Sequence, residues 1–236
     1  MEKEKVISLR NAELDRIMGG IPIPSMNLIE GENDTGKSVF VQHLTWGALS
    51  AGYSVRYITT ESTVKALIEQ MESLALTVKS YFVKGLLKVT HLHVKGISWD
   101  KAVAKNYLLV VLNFIKKKGG ADVIVIDSLT YIATHAMEED LLSFLSELRN
   151  YVDNRGRVVV VTLHPFAFNN DLLIRIRSIC DGHIVFSVKT TPSKEIIRGL
   201  EVKKLRGAKK AIDNMAFFKV EPNFGIRLLP FSAIKA

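Results

Sequence analysis

Short continuous apolar runs alternate along the chain with longer segments whose apolar residues recur every three to four positions. Met26 to Glu30, closed by Gly31, reads as a buried strand, and Lys37 to Ser50 as the helix behind it. Ser54 to Thr60 is β-branched and aromatic, the signature of a second strand. Val64 to Leu76 predicts a helix capped by Thr63, and Leu86 to Val94 a third strand. Val103, Tyr107, Val110, Val111, Phe114 and Ile115 fall at helical spacing, with Gly119-Gly120 as the terminator. Val123 to Ile126 is a continuous apolar strand ending at Asp127. Leu141, Leu142, Leu145 and Leu148 mark an amphipathic helix, and Arg157 to Thr162 a further strand. Strands apolar on both faces, separated by helices, predict a parallel sheet covered on both sides. After about Gly182 the pattern changes. His183 to Val188, Ile196 to Leu205, Ala216 to Val220 and Ile226 to Leu229 follow one another with short polar breaks, which predicts an antiparallel extension of the same sheet. No Pro-, Gly- or Ser-rich linker, low-complexity tract or internal repeat interrupts residues 1–236, so they read as one α/β domain.

Composition narrows the function classes. With 47% hydrophobic and 24% charged residues, the chain is neither disordered nor a disulfide scaffold. Its apolar runs fall short of the ~20 residues a membrane span needs, and the charged Met1 to Lys5 does not open a secretory leader. A lone cysteine, Cys180, forms no internal disulfide, which fits a reducing cytoplasm. The net charge of +8 is concentrated at one end, since His183 to Ala236 holds 11 basic and 4 acidic residues. Such a tail suits an anionic partner, whether nucleotide phosphate, nucleic acid, acidic protein or membrane surface, or serves solubility alone. The histidines His43, His91, His93, His135 and His183 form no ligand spacing with Cys180, so a zinc site is not indicated.

The sharpest chemical signal is Gly31-Glu32-Asn33-Asp34-Thr35-Gly36-Lys37-Ser38, a match to GxxxxGK[ST] set between a strand and a helix. Glycines let successive backbone N–H groups turn inward around phosphates, and the helix start at Lys37, Ser38 and Val39 aims its positive end at the same anion. Lys37 is expected on the β- and γ-phosphates of ATP, and Ser38 on Mg²⁺. Asp34 is unusual there: it either points outward into solvent or joins the outer shell of the metal. Asp127, at the carboxyl end of an apolar strand, is the candidate second metal ligand, with a helix-capping role as the alternative. Glu61, just past its strand, is the candidate base or water-positioner, although carboxylates near helix starts are common. Thr162 and His164 end the next strand and are candidate γ-phosphate sensors or, equally, structural residues. Lys204 and Arg206 point the same way on an extended strand and could together reach a phosphate, most naturally that of a neighbouring subunit; a solvated basic strand is the alternative.

Leu14-Asp15, Gly19-Gly20-Ile21-Pro22, the run Leu28 to Gly31 with its phosphate loop, and Lys204-Leu205-Arg206-Gly207 together resemble the KaiC group of RecA-fold ATPases. The resemblance covers nearly the whole chain. It implies a RecA-like core with a mainly parallel sheet, ATP with Mg²⁺, and rings in which Lys204 and Arg206 act on the adjacent subunit's nucleotide. Within the group, the size and single-domain build are most similar to the ATP-binding component of the archaeal flagellum (archaellum) motor. That implies a hexameric ring at the inner face of the cytoplasmic membrane, working with the motor ATPase FlaI near FlaJ and FlaX. Two residues depart from the group's pattern. Glu61 is followed by Ser62 where the group carries a second glutamate, and Asn33-Asp34 stand where small residues are usual. Both favour a nucleotide-gated switch over fast turnover. A recombinase-like DNA-binding ATPase and a KaiC-like signalling ATPase are the competing readings. The short Pro165 to Asp171 segment and the absence of a separate DNA-binding module weigh against nucleic acid.

Overall fold

The computed structural model describes residues 5–94, 96–118, 120–190, 196–208 and 215–230. It begins with β1 (Val6–Ile7), α1 (Ala12–Met18) and β2 (Ile21–Pro22), the two short strands pairing with each other. The core follows as β3 (Ser25–Gly31), α2 (Lys37–Ser50), β4 (Val55–Thr59), α3 (Val64–Ser73), α4 (Lys79–Val83), β5 (Leu87–His91), α5 (Lys101–Lys118) and β6 (Val123–Asp127). Then come α6 (Thr130–His135), α7 (Glu138–Arg155), β7 (Val158–Leu163), a 3-10 turn at Pro165–Ala167, and α8 (Asn170–Ile179). The last strands are β8 (Gly182–Thr190), β9 (Ile196–Leu205), β10 (Met215–Glu221) and β11 (Gly225–Leu229).

One nine-stranded sheet results, in the order β11-β10-β9-β8-β3-β7-β6-β4-β5. From β8 to β5 every pairing is parallel; β9, β10 and β11 extend the sheet antiparallel. The mixed α/β architecture is therefore the one the hydrophobic pattern predicts. Alternation explains why the central strands are apolar throughout. Val123, Val125, Val158 and Val160 pack on one face with α2 and the amino-terminal helix, while Ile124, Ile126, Val159 and Val161 pack on the other with α5, α7 and α8. Both faces are dry, so neither could be polar.

Element ends show where local signals failed. The third helix stops at Ser73, not Leu76, because Ala75 takes a left-handed φ of 61°. Ala75 N–H and Leu76 N–H then donate back to Glu72 O (3.0 Å) and Met71 O (2.9 Å), a Schellman closure made without the usual glycine. At its start, Thr63 caps the helix as predicted, accepting from Ala66 N–H at 3.2 Å. Gly119, half of the predicted stop of α5, lies outside the described residues. Helices α6 and α8 have no counterpart in the periodicity reading. The latter announces itself through Asn169, whose side chain accepts from Leu172 N–H at 2.8 Å.

A buried charge pair fixes the end of β3. Glu30, 1% exposed, is gripped in two-pronged fashion by Arg177 of α8, with Nε–Oε1 at 2.8 Å and Nη2–Oε2 at 2.6 Å. His183 Nε2 lies 3.3 Å from the same carboxylate. Burial alone would raise the Glu30 carboxyl, but the hydrogen bonds and charges of His183 and Arg177 bring it below its ordinary value of 4.5. A carboxylate depressed by folding contributes stability that is present above the unfolded value and lost as pH falls from there through the folded value. We therefore expect Glu30→Gln to cost about 3 kcal/mol near neutral pH, since it strands a partly buried guanidinium. Below pH 4.5 the gap to wild type should close. Urea unfolding of both proteins at pH 7 and in acid checks this; a gap independent of pH refutes it.

Candidate functional site

The crossing from β3 into α2 has a shape that only glycine permits at two points. A Cβ on Gly31 would lie 2.6 Å from the Phe186 carbonyl oxygen and 2.8 Å from Thr35 Oγ1. Gly36 holds φ at 95°, and a Cβ there would lie 2.9 Å from the Phe218 ring. The loop is thus pressed onto β8 and β10. Thr35 Oγ1 donates to Glu32 O at 2.8 Å and tightens the curl. Asp34 has a left-handed φ of 59° and an exposed side chain, and its carbonyl accepts from Arg198 Nε at 2.7 Å. The buried Lys37 amine donates to Gly31 O (2.8 Å) and Glu32 O (2.6 Å). Desolvation lowers its pKa, opposed by the charges of Glu61, Asp127, Asp34 and Glu32.

Asp127 is the hub of the polar cluster. It is 5% exposed and accepts three hydroxyls: Tyr57 OH on Oδ2 at 2.6 Å, and Thr162 Oγ1 and Ser38 Oγ on Oδ1 at 2.7 and 3.3 Å. Burial, then Asp127, pushes the Tyr57 phenol well above its usual range, so it stays a donor. Glu61 lies two residues beyond β4, where its amide and that of Ser62 donate to Thr59 Oγ1 at 3.1 and 3.2 Å. Its carboxyl reaches the open cleft yet is raised above 4.5, first by desolvation and then by Asp127; the Ser128 hydrogen bond and Lys37 oppose this. His164 Nδ1 lies 3.0 Å from Thr130 Oγ1, which also accepts from the His164 amide at 3.0 Å. Desolvation, then Lys37, lowers the pKa of this imidazole, with Asp127 opposing, which favours the neutral ring.

These groups share one cleft of about 470 Å³. It brings together Asn33, Asp34, Thr35, Gly36, Lys37, Ser38 and Val39 with Glu61, Asp127 and His164. Gly31 forms the root of the loop behind it. Thr162 is fully buried under Asp127 and orients that carboxylate instead of facing the cleft. Two residues absent from the sequence reading belong here. Tyr57 was legible only as a strand aromatic, and its place opposite Val125 needs the β4–β6 register. Arg198 lines the cleft from β9; an arginine interrupting an apolar strand was the available signal.

Lys204 and Arg206 sit elsewhere, and not as one extended face. A bulge between His183 and Ile184 inserts Lys203 into the ladder, and β9 ends at Leu205. Lys204 Nζ donates to Arg177 O at 2.8 Å; desolvation, then Arg206, lowers its pKa. Arg206 is exposed in the turn beyond the strand. Leu205 lies level with Gly182, itself level with Asn27, whereas Gly31 lies level with Phe186. Four residues of strand, about 13 Å, therefore separate this segment from its own loop.

Comparison with known proteins agrees with this fold. The family model described as the KaiC ATPase matches residues 11–232. The archaeal flagellar ATP-binding protein FlaH of Sulfolobus acidocaldarius is 35% identical over 98% of this chain and 100% of its own length. FlaH of Methanocaldococcus jannaschii is 30% identical over 93% of each chain. The crystal structure of the M. jannaschii flagellar accessory protein FlaH superposes with a TM-score of 0.83 at 26% identity, covering 96% of this chain and 99% of that one. A KaiC-like protein of Pyrococcus horikoshii, at TM-score 0.71 and 23% identity over 92% and 94% of the two chains, shows the same fold. A mostly parallel sheet with an antiparallel wing, a GxxxxGK[ST] loop between β3 and α2, and end-to-end similarity place this chain in the KaiC-like group of RecA-fold ATPases, in its FlaH family.

Proposed function

We propose that the cleft binds ATP with Mg²⁺ and that the chain is a nucleotide-gated component of the archaellum motor. One observation carries this reading: the loop of residues 31–38 meets Asp127 and Glu61 in a single cleft next to the helix start of α2. Gly31 and Gly36, where side chains would collide with Phe186 and Phe218, let the loop hold a tight curl, and that curl with Lys37 and Ser38 in the same cleft fits a polyphosphate. Loop amides and the Lys37 ammonium bind the phosphate oxygens. Ser38 and Asp127, already 3.3 Å apart, would hold Mg²⁺, which neutralises phosphate charge when bound. Tyr57 and Thr162 each spend their one hydroxyl proton on Asp127 and fix its orientation.

Glu61 is the base or water-positioner of this reading. Its raised pKa suits proton uptake, but Ser62 beside it offers no second carboxylate. Binding therefore outweighs turnover. Lys204 and Arg206, remote from their own loop, serve the nucleotide of an adjacent subunit in a ring, which we propose to be hexameric. Bound ATP then stabilises the assembled state by mass action, about 2.7 kcal/mol at one hundred times Kd. The ring would work in the cytoplasm at the inner face of the membrane with the motor ATPase FlaI and the FlaJ and FlaX components. No helix among the described residues is long and apolar enough to cross a membrane.

A DNA-binding reading draws on the DNA repair protein RadA of Rickettsia bellii, 25% identical over 67% of this chain but only 33% of its own length. Phe166, 68% exposed just after His164, is the residue that could stack on a base. Steeply salt-dependent binding to single-stranded DNA would favour this reading over the motor role.

Light scattering with and without Mg·ATP tests the main proposal. Wild type should shift to a larger species with nucleotide and Lys37→Ala should not; equal assembly in all four samples overturns the link. Gly31→Ala should abolish nucleotide uptake in calorimetry, because its clash is with backbone and cannot be relieved by rotating a side chain. Glu61→Gln should keep ATP affinity within a few-fold and lower phosphate release about 100-fold; unchanged release removes Glu61 from the chemistry.

A further inference from the structure

We propose that Arg198 is a nucleotide-binding residue acting in its own subunit, a fixed cation on the nucleoside side of the phosphate loop. The inference deepens the ATP-binding reading and rests on it. The cleft has two walls, separated by β3 in the sheet order. On one side β7, β6 and β4 deliver His164, Asp127 and Glu61. On the other, β9 and β10 deliver Arg198 and Val220. Ser38 hydrogen-bonds to Asp127, so the metal-bearing end of a bound triphosphate lies toward the first wall. Its α-phosphate and ribose then run toward the second.

Arg198 is held where its stem meets its guanidinium. Its stem passes Gly36, with Cδ 3.4 Å from where a Cβ on that glycine would stand. Its Nε donates to the Asp34 carbonyl at 2.7 Å. That bond uses one of the five N–H donors of a guanidinium. Among the described residues the side chain makes no other hydrogen bond or ion pair, which leaves the remaining donors to the cleft it lines. A planar fork of this kind suits phosphate oxygens, and its charge is permanent. Lys37, by contrast, is a compact point charge in the same cleft as Glu61 and Asp127. The two cations thus divide the phosphate chain between them. Loss of Arg198 should weaken ATP and ADP alike, because both keep the α- and β-phosphates.

Calorimetry of wild type, Arg198→Gln and Arg198→Lys with Mg·ATP and Mg·ADP, at low and moderate salt, is the test. Arg198→Gln should weaken both nucleotides about 10- to 100-fold, as expected for a charge-assisted hydrogen bond. It should also flatten the salt dependence of binding. Arg198→Lys, which keeps the charge, should lose only a few-fold, equally for both nucleotides, and keep the wild-type salt dependence; it carries the test if thermal melting shows the glutamine variant unfolded. A residue that merely braces Asp34 would lower affinity without changing the salt dependence. That result overturns the proposal, as does wild-type affinity in both variants or a loss confined to ATP. Failure of wild type itself to bind nucleotide would sink the ATP reading first; wild-type binding with an unaffected Arg198→Gln would sink only this inference.

Discussion

The fold of the site depends on how closely one backbone turn can approach its neighbours. Gly31 stands where any Cβ would press on the carbonyl oxygen of Phe186, and Gly36 where one would press on the ring of Phe218. Phe186 and Phe218 meet edge-on at 5.9 Å, and Phe40 of α2 leans on Phe186 at 5.3 Å. The loop of residues 31–38 therefore rests on an aromatic floor contributed by β8, β10 and its own helix. That floor is the reason the antiparallel wing matters to the chemistry. Strand β10 supports the second glycine of the loop through Phe218, and β9 holds the carbonyl of Asp34 through Arg198.

Sheet order then assembles the polar side. Strand β3 is followed in sequence by β4, yet two strands, β7 and β6, lie between them. All four run parallel, so their carboxyl ends open on one edge, and the excursion leaves a crevice above the inserted strands. Lys37, His164, Asp127 and Glu61 arrive there in spatial order from segments spread between residues 37 and 164 of the chain. Asp127 converts this proximity into a fixed geometry. Its three hydroxyl donors come from β4, β7 and α2, so one carboxylate ties together the elements that border the cleft.

Much of this was legible in the sequence, for identifiable reasons. Continuous apolar strands such as Val123 to Ile126 announce a doubly covered sheet, and the GxxxxGK[ST] spacing carries its own mechanism. The strand-end positions of Asp127, Glu61 and His164 follow from the same two facts. What stayed hidden depends on pairing between distant segments. Tyr57 and Thr162 look like ordinary strand residues until register sets them around one carboxylate. Arg198 looks like a surface charge until β9 is laid beside the loop. The bulge that displaces Lys203, and the end of β9 before Arg206, leave no mark in a pattern of alternation, because an extra residue in one strand is defined only against its partner. The left-handed Ala75 hid a helix end for a similar reason: the stop is built from backbone bonds, not from a glycine.

Strand β9 joins the two halves of the functional reading. At one end Arg198 holds the crest of the phosphate loop; at the other Lys204 donates to Arg177, and Arg206 stands exposed. A second path runs below it. Glu30, the residue before the loop, is clamped by the Arg177 side chain, and the Arg177 carbonyl holds Lys204. Both paths are made of short polar contacts. In a ring of the proposed kind, these contacts would tie the loop to the Lys204–Arg206 segment. Coupling between sites requires an element with two arrangements whose balance both sites bias. In such a ring the Lys204 amine, partly desolvated, would have two partners to choose between, the Arg177 carbonyl it now meets and a neighbour's phosphate. Because a charged hydrogen bond to phosphate is stronger than one to a neutral carbonyl, nucleotide in the adjacent subunit would win that competition and loosen the hold on α8.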